Sequence, residues 1–334
     1  MTHVRIALDA MGGDHVPGAS VHGGIDAAVN LDAHVTLVGD RQQIISEIGS
    51  RSYPTHLISI VDAPERVSME DDAISAVRRK KRASIPVGLE MVKQGEADAF
   101  VSAGNTGAVV ASSVVSLGRL PGVQRPGIAI PLPTASGDPL LLIDAGALVD
   151  PKPEHLWQHA RLAVTYARVA NQITSPTVGL ISNGEEAGKG NALTRAAHAL
   201  LSEDKSINFI GNVESRALGD RPCDVLVTDG FTGNIILKTG EGVVTLLEQS
   251  FRNEFRKRWY TAILASLLKP AFRRAGKALD YREYGGAPLL GVDGLVIIAH
   301  GSSDRTALLN AIGGAIDAAG RNTLGALRGA VTER

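Results

Sequence analysis

The chain is poor in residues that fix a compartment or a cofactor on their own. It has one cysteine, Cys223, in 334 residues, which excludes an internal disulfide and any metal cluster built from several thiolates. A reducing, cytoplasmic setting is the expectation. Aromatic residues make up only 4% and the formal net charge is −1, so no global field draws the chain to nucleic acid, and none is expected as a partner. No window holds about 18 uninterrupted apolar residues. The N-terminus enters a strand pattern at once, without the apolar block of a signal peptide. Neither a membrane span nor a leader is expected. An apolar share of 44% and a charged share of 21% suit a globular chain that buries a sizeable core.

Cofactor fingerprints are missing too. The segment Asn183 to Asn191 follows a strand pattern at Val178 to Ser182 and contains Gly184 and Gly188-Lys189. It fails the P-loop template, because the glycines are one residue too close and Gly190 stands where Ser or Thr would hold magnesium. No Gly-x-Gly-x-x-Gly opens a helix after the first strand, and no Gly-x-Ser-x-Gly elbow is present. Asp14-His15 and the pair His300 and Asp304 are the candidates for metal ligation, and neither supplies three ligands. Cys223 precedes an apolar strand, where burial is its expected fate. No metal and no cofactor are expected. A reaction in which bound phosphate is itself the nucleophile needs none of these devices.

What the chain does have is a set of loaded strand ends. Ala99 to Ser102 is a strand pattern that stops at Ala103-Gly104-Asn105-Thr106-Gly107-Ala108 and passes into a helical run from Val109 to Leu117. A turn of this kind leaves the first N–H groups of the helix unpaired at the positive end of its dipole. The design returns at Asp224 to Asn234, where Asp229, Thr232, Gly233 and Asn234 open a second helix. A third such end comes first in the chain, where Val4 to Ala10 runs into Met11-Gly12-Gly13-Asp14-His15. Together they predict a phosphate-handling cleft, with Lys189 available as a point charge beside Gly190 and Asn191.

Strand and helix patterns alternate along the chain, which predicts an α/β fold on a mostly parallel sheet. A helix is predicted from Met69 to Arg82, with Glu70, Asp71 and Asp72 first and Arg78-Arg79-Lys80-Lys81-Arg82 last, as the helix dipole favours. That basic end reads either as a solvated terminus or as a docking patch for an acidic partner. A long helix is predicted from Thr232 to about Leu268, stopped by Pro270. Residues 1–334 are read as one domain from which residues 245–284 protrude. Most of the aromatics, Tyr281 among them, fall within residues 251–284. Phe255, Trp259, Ile263 and Leu267 recur every four residues among many lysines and arginines. This is the pattern of a helix that lies on anionic lipid or pairs with a second copy of the chain.

The segments Ile6 to His15, Arg78 to Lys81, Val101 to Ala108, Lys152 to His155, Gly184 to Glu186 with Lys189 to Asn191, Asp229 to Asn234 and Tyr284 to Gly291 closely resemble the phosphate acyltransferases of bacterial phospholipid synthesis. The resemblance spans essentially the whole chain. It implies a three-layer α/β/α sandwich, similar to the folds of isopropylmalate dehydrogenase and phosphate acetyltransferase. It also implies transfer of a long acyl chain from acyl-carrier protein to inorganic phosphate, giving acyl phosphate. A homodimer lying peripherally at the membrane is implied, with a glycerol-3-phosphate acyltransferase of the membrane downstream.

On this reading Gly12, Gly13, Asp14, Gly104, Asn105, Thr106, Gly107, Gly190, Asn191, Asp229, Thr232 and Gly233 bind phosphate or substrate. Lys189 supplies the cation, Asn105, Asn191 or Asn234 donates to the oxyanion, and His15 manages a proton. Arg78 to Arg82 dock the carrier, and Phe255, Trp259, Ile263 and Leu267 touch the membrane. Two departures stand out: Leu148 takes the place of an Asn, and Ser182-Asn183 replaces Asn-Ile. The competing readings are a non-enzymatic, dimeric lipid-surface scaffold and an NAD(P)-linked hydroxy-acid dehydrogenase of similar fold.

Overall fold

The computed structural model describes residues 3–279 and 284–332. Its first part runs β1 (Arg5–Asp9), α1 (Gly18–Asn30), β2 (His34–Gly39), α2 (Arg41–Ile48), β3 (Ile58–Asp62), α3 (Ala73–Arg79), α4 (Ser84–Lys93), β4 (Ala99–Ser102) and α5 (Thr106–Ser116). The chain continues through β5 (Gly127–Leu132), β6 (Leu140–Ile143), α6 (Pro153–Val169), β7 (Thr177–Ser182), α7 (Ala192–Glu203), β8 (Asn208–Glu214) and β9 (Val225–Val227). It ends with α8 (Gly230–Arg256), α9 (Trp259–Leu279), β10 (Ala287–Leu290), β11 (Leu295–Ile298), α10 (Arg305–Gly320) and α11 (Thr323–Thr332).

The strands among the described residues join one 11-stranded sheet in the order β3-β2-β1-β4-β11-β10-β5-β6-β9-β7-β8. The five strands from β3 to β11 are parallel, and so are the four from β6 to β8. Between these blocks β10 is antiparallel to both β11 and β5, and β5 is antiparallel to β6. The two parallel blocks therefore point in opposite senses, and their C-terminal ends approach the central strands from opposite sides. In the first block the chain leaves β1 for β2 on one side and returns to β4 on the other, so a crevice opens at the ends of β1 and β4.

Alternation along the strands sends side chains to both faces. Ile6, Leu8 and Val101 pack with Val21, Ile25, Leu308 and Ile312 of α1 and α10. Ala7 and Phe100 turn to the opposite face, against Leu89 and Val109 of α4 and α5. In the second block Val178, Leu180 and Val225 meet Leu156, Ala160 and Leu201 of α6 and α7. The α/β/α sandwich expected from the family resemblance is present.

Two predicted helices differ from those observed. The run from Met69 to Arg82 yields only α3, because Asp71 binds the preceding loop and the helix starts only after Asp72. Asp72 caps α3 by accepting from Ser75 N at 2.9 Å, and Asp71 accepts from Ser68 N at 2.7 Å. Lys80 ends the helix by turning back to Asp71 at 2.6 Å and to the carbonyl of Arg66 at 2.9 Å. The long helix to Leu268 is in fact a hairpin of α8 and α9. The Thr261 hydroxyl donates to the carbonyls of Phe255 at 3.0 Å and Arg258 at 2.7 Å, which satisfies acceptors freed at the break. Pro270 lies inside α9 rather than ending it.

The hairpin is held by an aromatic cluster: Phe251 lies 6.1 Å and Phe255 5.4 Å from Phe272 between ring centroids. The four-residue stripe is thus divided, with Phe255 on α8 facing inward and Ile263 and Leu267 on α9. Ile263 is 54% and Leu267 72% exposed. The side chain of Trp259, and Tyr281 as a whole, lie outside the described residues. Among the described residues no helix is long and apolar enough to cross a membrane.

Candidate active site

Each half of the sheet ends its first strand in a buried aspartate that folds the next loop around its carboxylate. Asp9 accepts from Met11 N at 3.0 Å and from the Ser102 hydroxyl at 2.7 Å, and so ties the end of β1 to that of β4. Burial pushes the Asp9 carboxyl above the usual carboxylate range, against the opposing pull of these hydrogen bonds. Asp144, after β6, accepts from the N–H groups of Ile128, Gly146, Ala147 and Leu148 at 2.7–3.0 Å.

The glycines beside these carboxylates are required by close approach. A Cβ on Gly12 would lie 2.3 Å from Asp9 Oδ2 and 2.6 Å from Gly104 N, and one on Gly233 would lie 1.9 Å from Asp144 O. Gly12 and Gly233 therefore let two strand ends touch, a packing duty additional to the phosphate contact expected of them.

A cavity of about 440 Å³ lies between the two halves. The first half contributes Asp14, Thr106, His300 and Ser303, the second Gly146, Asn234 and Lys238, and the floor is Ile128, Ile130, Ala287 and Ile298 from β5, β10 and β11. The antiparallel centre is what allows this: it supplies an apolar floor with opposed strand ends at its two sides.

The helix termini that flank the cavity differ in what they leave free. At α5, Asn105 caps Ala108 N at 3.0 Å, and its amide donates to the carbonyls of Ser68, Met69 and Asp71 at 3.1–3.4 Å. Asn105 is therefore held by the scaffold. The N–H of Gly104 is bound to Ser102 Oγ at 3.0 Å. Thr106, the first helical residue, brings the positive end of α5 to the cavity wall. At α8 the opening turn is largely satisfied internally. Asp229 accepts from Thr232 N at 2.8 Å and from the Thr232 hydroxyl at 2.7 Å, Gly233 N donates to Asp229 O at 2.9 Å, and Gly230 N donates to Leu148 O at 2.9 Å. Asp229 and Thr232 thus build the terminus, and the side chains one turn further on, Asn234 and Lys238, enter the cavity.

Lys238 is the cation that the sequence reading missed. Its ammonium lies 2.9 Å from Glu241 Oε2 and 3.0 Å from His300 Nε2, and His300 Nδ1 lies 2.8 Å from the Ser302 hydroxyl. An ammonium only donates, so it points its N–H at His300 Nε2, while His300 Nδ1 faces both the hydroxyl and, at 3.2 Å, the backbone N–H of Ser302. The signal available in the sequence was spacing alone: Lys238 follows Asn234 by four residues and shares its helix face. His300, considered in the sequence as a metal ligand, lies in this cluster instead. Among the described residues no group of three or more His, Cys, Asp and Glu is placed to hold a metal ion.

Other predicted site residues lie outside the cavity wall. His15 is exposed next to Asp14, and Lys189 is exposed on the loop after β7. That loop is ordered by Asn183, which accepts from Gly190 N at 2.9 Å, and Asn191 caps α7 through Thr194 N at 2.9 Å. Two of the departing residues have roles here. Asn183 holds the loop, and Leu148 acts through its backbone, giving its N–H to Asp144 and its carbonyl to Gly230. Cys223 is buried, and burial pushes its thiol up to about 12, so it supplies no thiolate.

Of the basic run, Arg78, Arg79, Lys81 and Arg82 are exposed, whereas Lys80 is bound to Asp71. The loop before α3 carries Met69 into the cavity lining. Lys80 ties the run back to that loop through Asp71.

Fold and cleft define the class: an α/β/α sandwich whose two halves meet at one cavity with polar walls over an apolar floor. A phosphotransacetylase from Streptococcus pyogenes has this fold with a TM-score of 0.63 at 15% identity, over 96% of this chain and 94% of that one. A 4-hydroxythreonine-4-phosphate dehydrogenase from Klebsiella pneumoniae shares it with a TM-score of 0.57 at 14% identity, over 95% and 100%. At such identities the likeness is one of fold.

In sequence, residues 4–325 match the family described as "Fatty acid synthesis protein". A phosphate acyltransferase from Pelotomaculum thermopropionicum is 48% identical over 309 residues, 92% of this chain and 90% of that one. One from Halothermothrix orenii is 43% identical over 327 residues, 97% and 98% of the two chains. The chain belongs to the phosphate acyltransferase family, and it is an acyltransferase of lipid synthesis. That membership displaces the scaffold and dehydrogenase readings.

Proposed function

We propose that the cleft moves a long-chain fatty acyl group from acyl-carrier protein to inorganic phosphate, giving acyl phosphate. The observation that carries this reading is the convergence of Thr106 at the positive end of α5, the Asn234 amide and the Lys238 ammonium on one cavity with an apolar floor. That set suits an oxyanion with a greasy substituent. Phosphate lies between Thr106 and Lys238. One of its oxygens attacks the thioester carbonyl, a C–O bond forms, and the tetrahedral oxyanion is stabilised by the Asn234 amide. The C–S bond then breaks, its electron pair leaves with the phosphopantetheine sulfur, and the proton released by phosphate returns to that thiolate. A thiol pKa of about 8.5 makes sulfur an adequate leaving group without a nucleophilic side chain.

The exposed Arg78, Arg79, Lys81 and Arg82 receive the acidic carrier, as their charge and exposure suggest. The α8–α9 hairpin contacts a second copy of the chain or an anionic membrane, where a membrane glycerol-3-phosphate acyltransferase receives the product. The protein is then cytoplasmic and peripheral to the bilayer.

The deciding assay is thiol release from a long-chain acyl-carrier protein with and without phosphate, with hydroxylamine trapping of the product. Phosphate-dependent release with a trappable acyl phosphate is the expected result. Release that ignores phosphate overturns the reading.

A further inference from the structure

Beside the anion cavity lies a second one of about 450 Å³ that shares Leu237 and His300 with it. Its walls come from Leu132 at the end of β5 and Pro133 after it, from Leu218, and from Ile236 and Val244 on α8. Of its two carboxylates, Glu241 is paired with Lys238 and Glu248 is exposed. We infer that this second cavity holds the acyl chain of the donor during transfer, and that Gly240 sets how much chain it admits. The inference rests on the acyl-transfer reading above and names the subsite that reading lacks.

Three observations support it. A carbonyl held between Asn234 and Lys238 must send its chain away from the polar loops, and the cavity that shares Leu237 and His300 with the first is contiguous and mostly apolar. Its volume falls in the range of ligand sites, about 300–1,000 Å³. The third observation is Gly240 itself. It lies within α8, where glycine costs about 1 kcal/mol relative to Ala, yet a Cβ built on it meets nothing within 4 Å. No packing within the folded chain calls for glycine there. Gly219 lines the same cavity and is equally open. The glycine at 240 keeps space clear on the wall of the cavity.

The test compares octanoyl- and hexadecanoyl-carrier protein as donors for the full chain, wild type against Gly240→Leu, by phosphate-dependent thiol release. Leu is a better helix former than Gly, so the fold of α8 is favoured, and a thermal melt confirms it. The expected result is that the ratio of kcat/KM for hexadecanoyl to octanoyl donor falls about tenfold or more, the scale on which apolar pockets discriminate. Val244→Trp, which narrows the same cavity from one turn further along α8, should shift the ratio in the same direction. An unchanged ratio in both folded variants overturns the inference while leaving the acyltransferase reading intact. So does a change of oligomeric state without a change of ratio, which would make the groove an interface between copies. Wild type that releases no thiol from either donor removes the reading and the inference together.

Discussion

Replacing Lys238 with Met separates chemistry from stability more cleanly than any other change in the cleft. The Lys238 and Glu241 side chains are 50% and 27% exposed, so their ion pair is screened and contributes less than about 1 kcal/mol to folding. Met keeps most of the aliphatic stem and is a good helix former, so melting should move by only a few degrees. The loss to catalysis is larger. A hydrogen bond to a charged group is worth roughly 1.5–3 kcal/mol, which corresponds to about 10- to 150-fold in kcat/KM for phosphate. The assay is initial thiol release at saturating acyl carrier with phosphate varied. If Lys238 holds phosphate before the reaction, KM for phosphate rises. If it stabilises only the transition state, kcat falls and KM stays. A folded Lys238→Met enzyme within about twofold of wild type in both constants would refute the placement of phosphate in this cavity and return attention to Lys189.

Other consequences are open to direct measurement. Gly12→Ala forces a Cβ against Asp9 and Gly104 at the distances given above, so the ends of β1 and β4 must separate. A loss of about 1–3 kcal/mol in urea denaturation and a matching drop in turnover are expected, and unchanged stability would contradict the close contact. Reversing charge at Arg79 and Lys81 should raise KM for the acyl carrier and leave KM for phosphate near wild type; equal effects on both would remove the docking role. Burial holds the imidazole of His159 below its usual range, with Asp144 opposing. The folded state therefore binds fewer protons there than the unfolded chain does. That contribution to stability is complete above about pH 6.5 and is lost as the pH falls, by at most about 1.4 kcal/mol per pH unit. Melts between neutral and mildly acidic pH should show this slope, and His159→Gln should flatten it. Double replacement of Ile263 and Leu267 by Ser should abolish co-flotation with anionic vesicles, and persistent flotation would exclude the hairpin as the contact.

The strand ends were legible because their chemistry is local. Asn105 and Asp229 are short polar residues beside a glycine at the end of an apolar run, and each proved to organise the turn in which it stands. Their partners were not legible. That Asn105 gives its amide to the loop of Ser68 to Asp71, or that Thr232 is fully occupied by Asp229, depends on contacts no spacing rule encodes. Strand β10 escaped notice because Gly285, Gly286 and Gly291 frame four residues that include Pro288, a composition that reads as a loop. It pairs only because β5 and β11 lie on either side of it. Lys238 was hidden for the opposite reason: it sits inside a regular helix, and only the packing of α8 across the floor of the cleft turns its face into a site. The break after Arg256 is not signalled by composition either, since Lys257 and Arg258 are good helix formers; it is closed locally, by the Thr261 hydroxyl on carbonyls three and six residues back.

Helix α8 carries Asn234 and Lys238 near its start and the aromatic cluster of the hairpin at its end, without interruption. At about 1.5 Å per residue, the distance from Asn234 to Arg256 is roughly 33 Å along one rigid rod. Such a rod behaves as a lever. The apolar tip and the two side chains in the cleft cannot be reoriented independently, so whatever surface seats the tip also fixes the rotation of Asn234 and Lys238 about the helix axis. The tip of the hairpin and the wall of the cleft are mechanically one part.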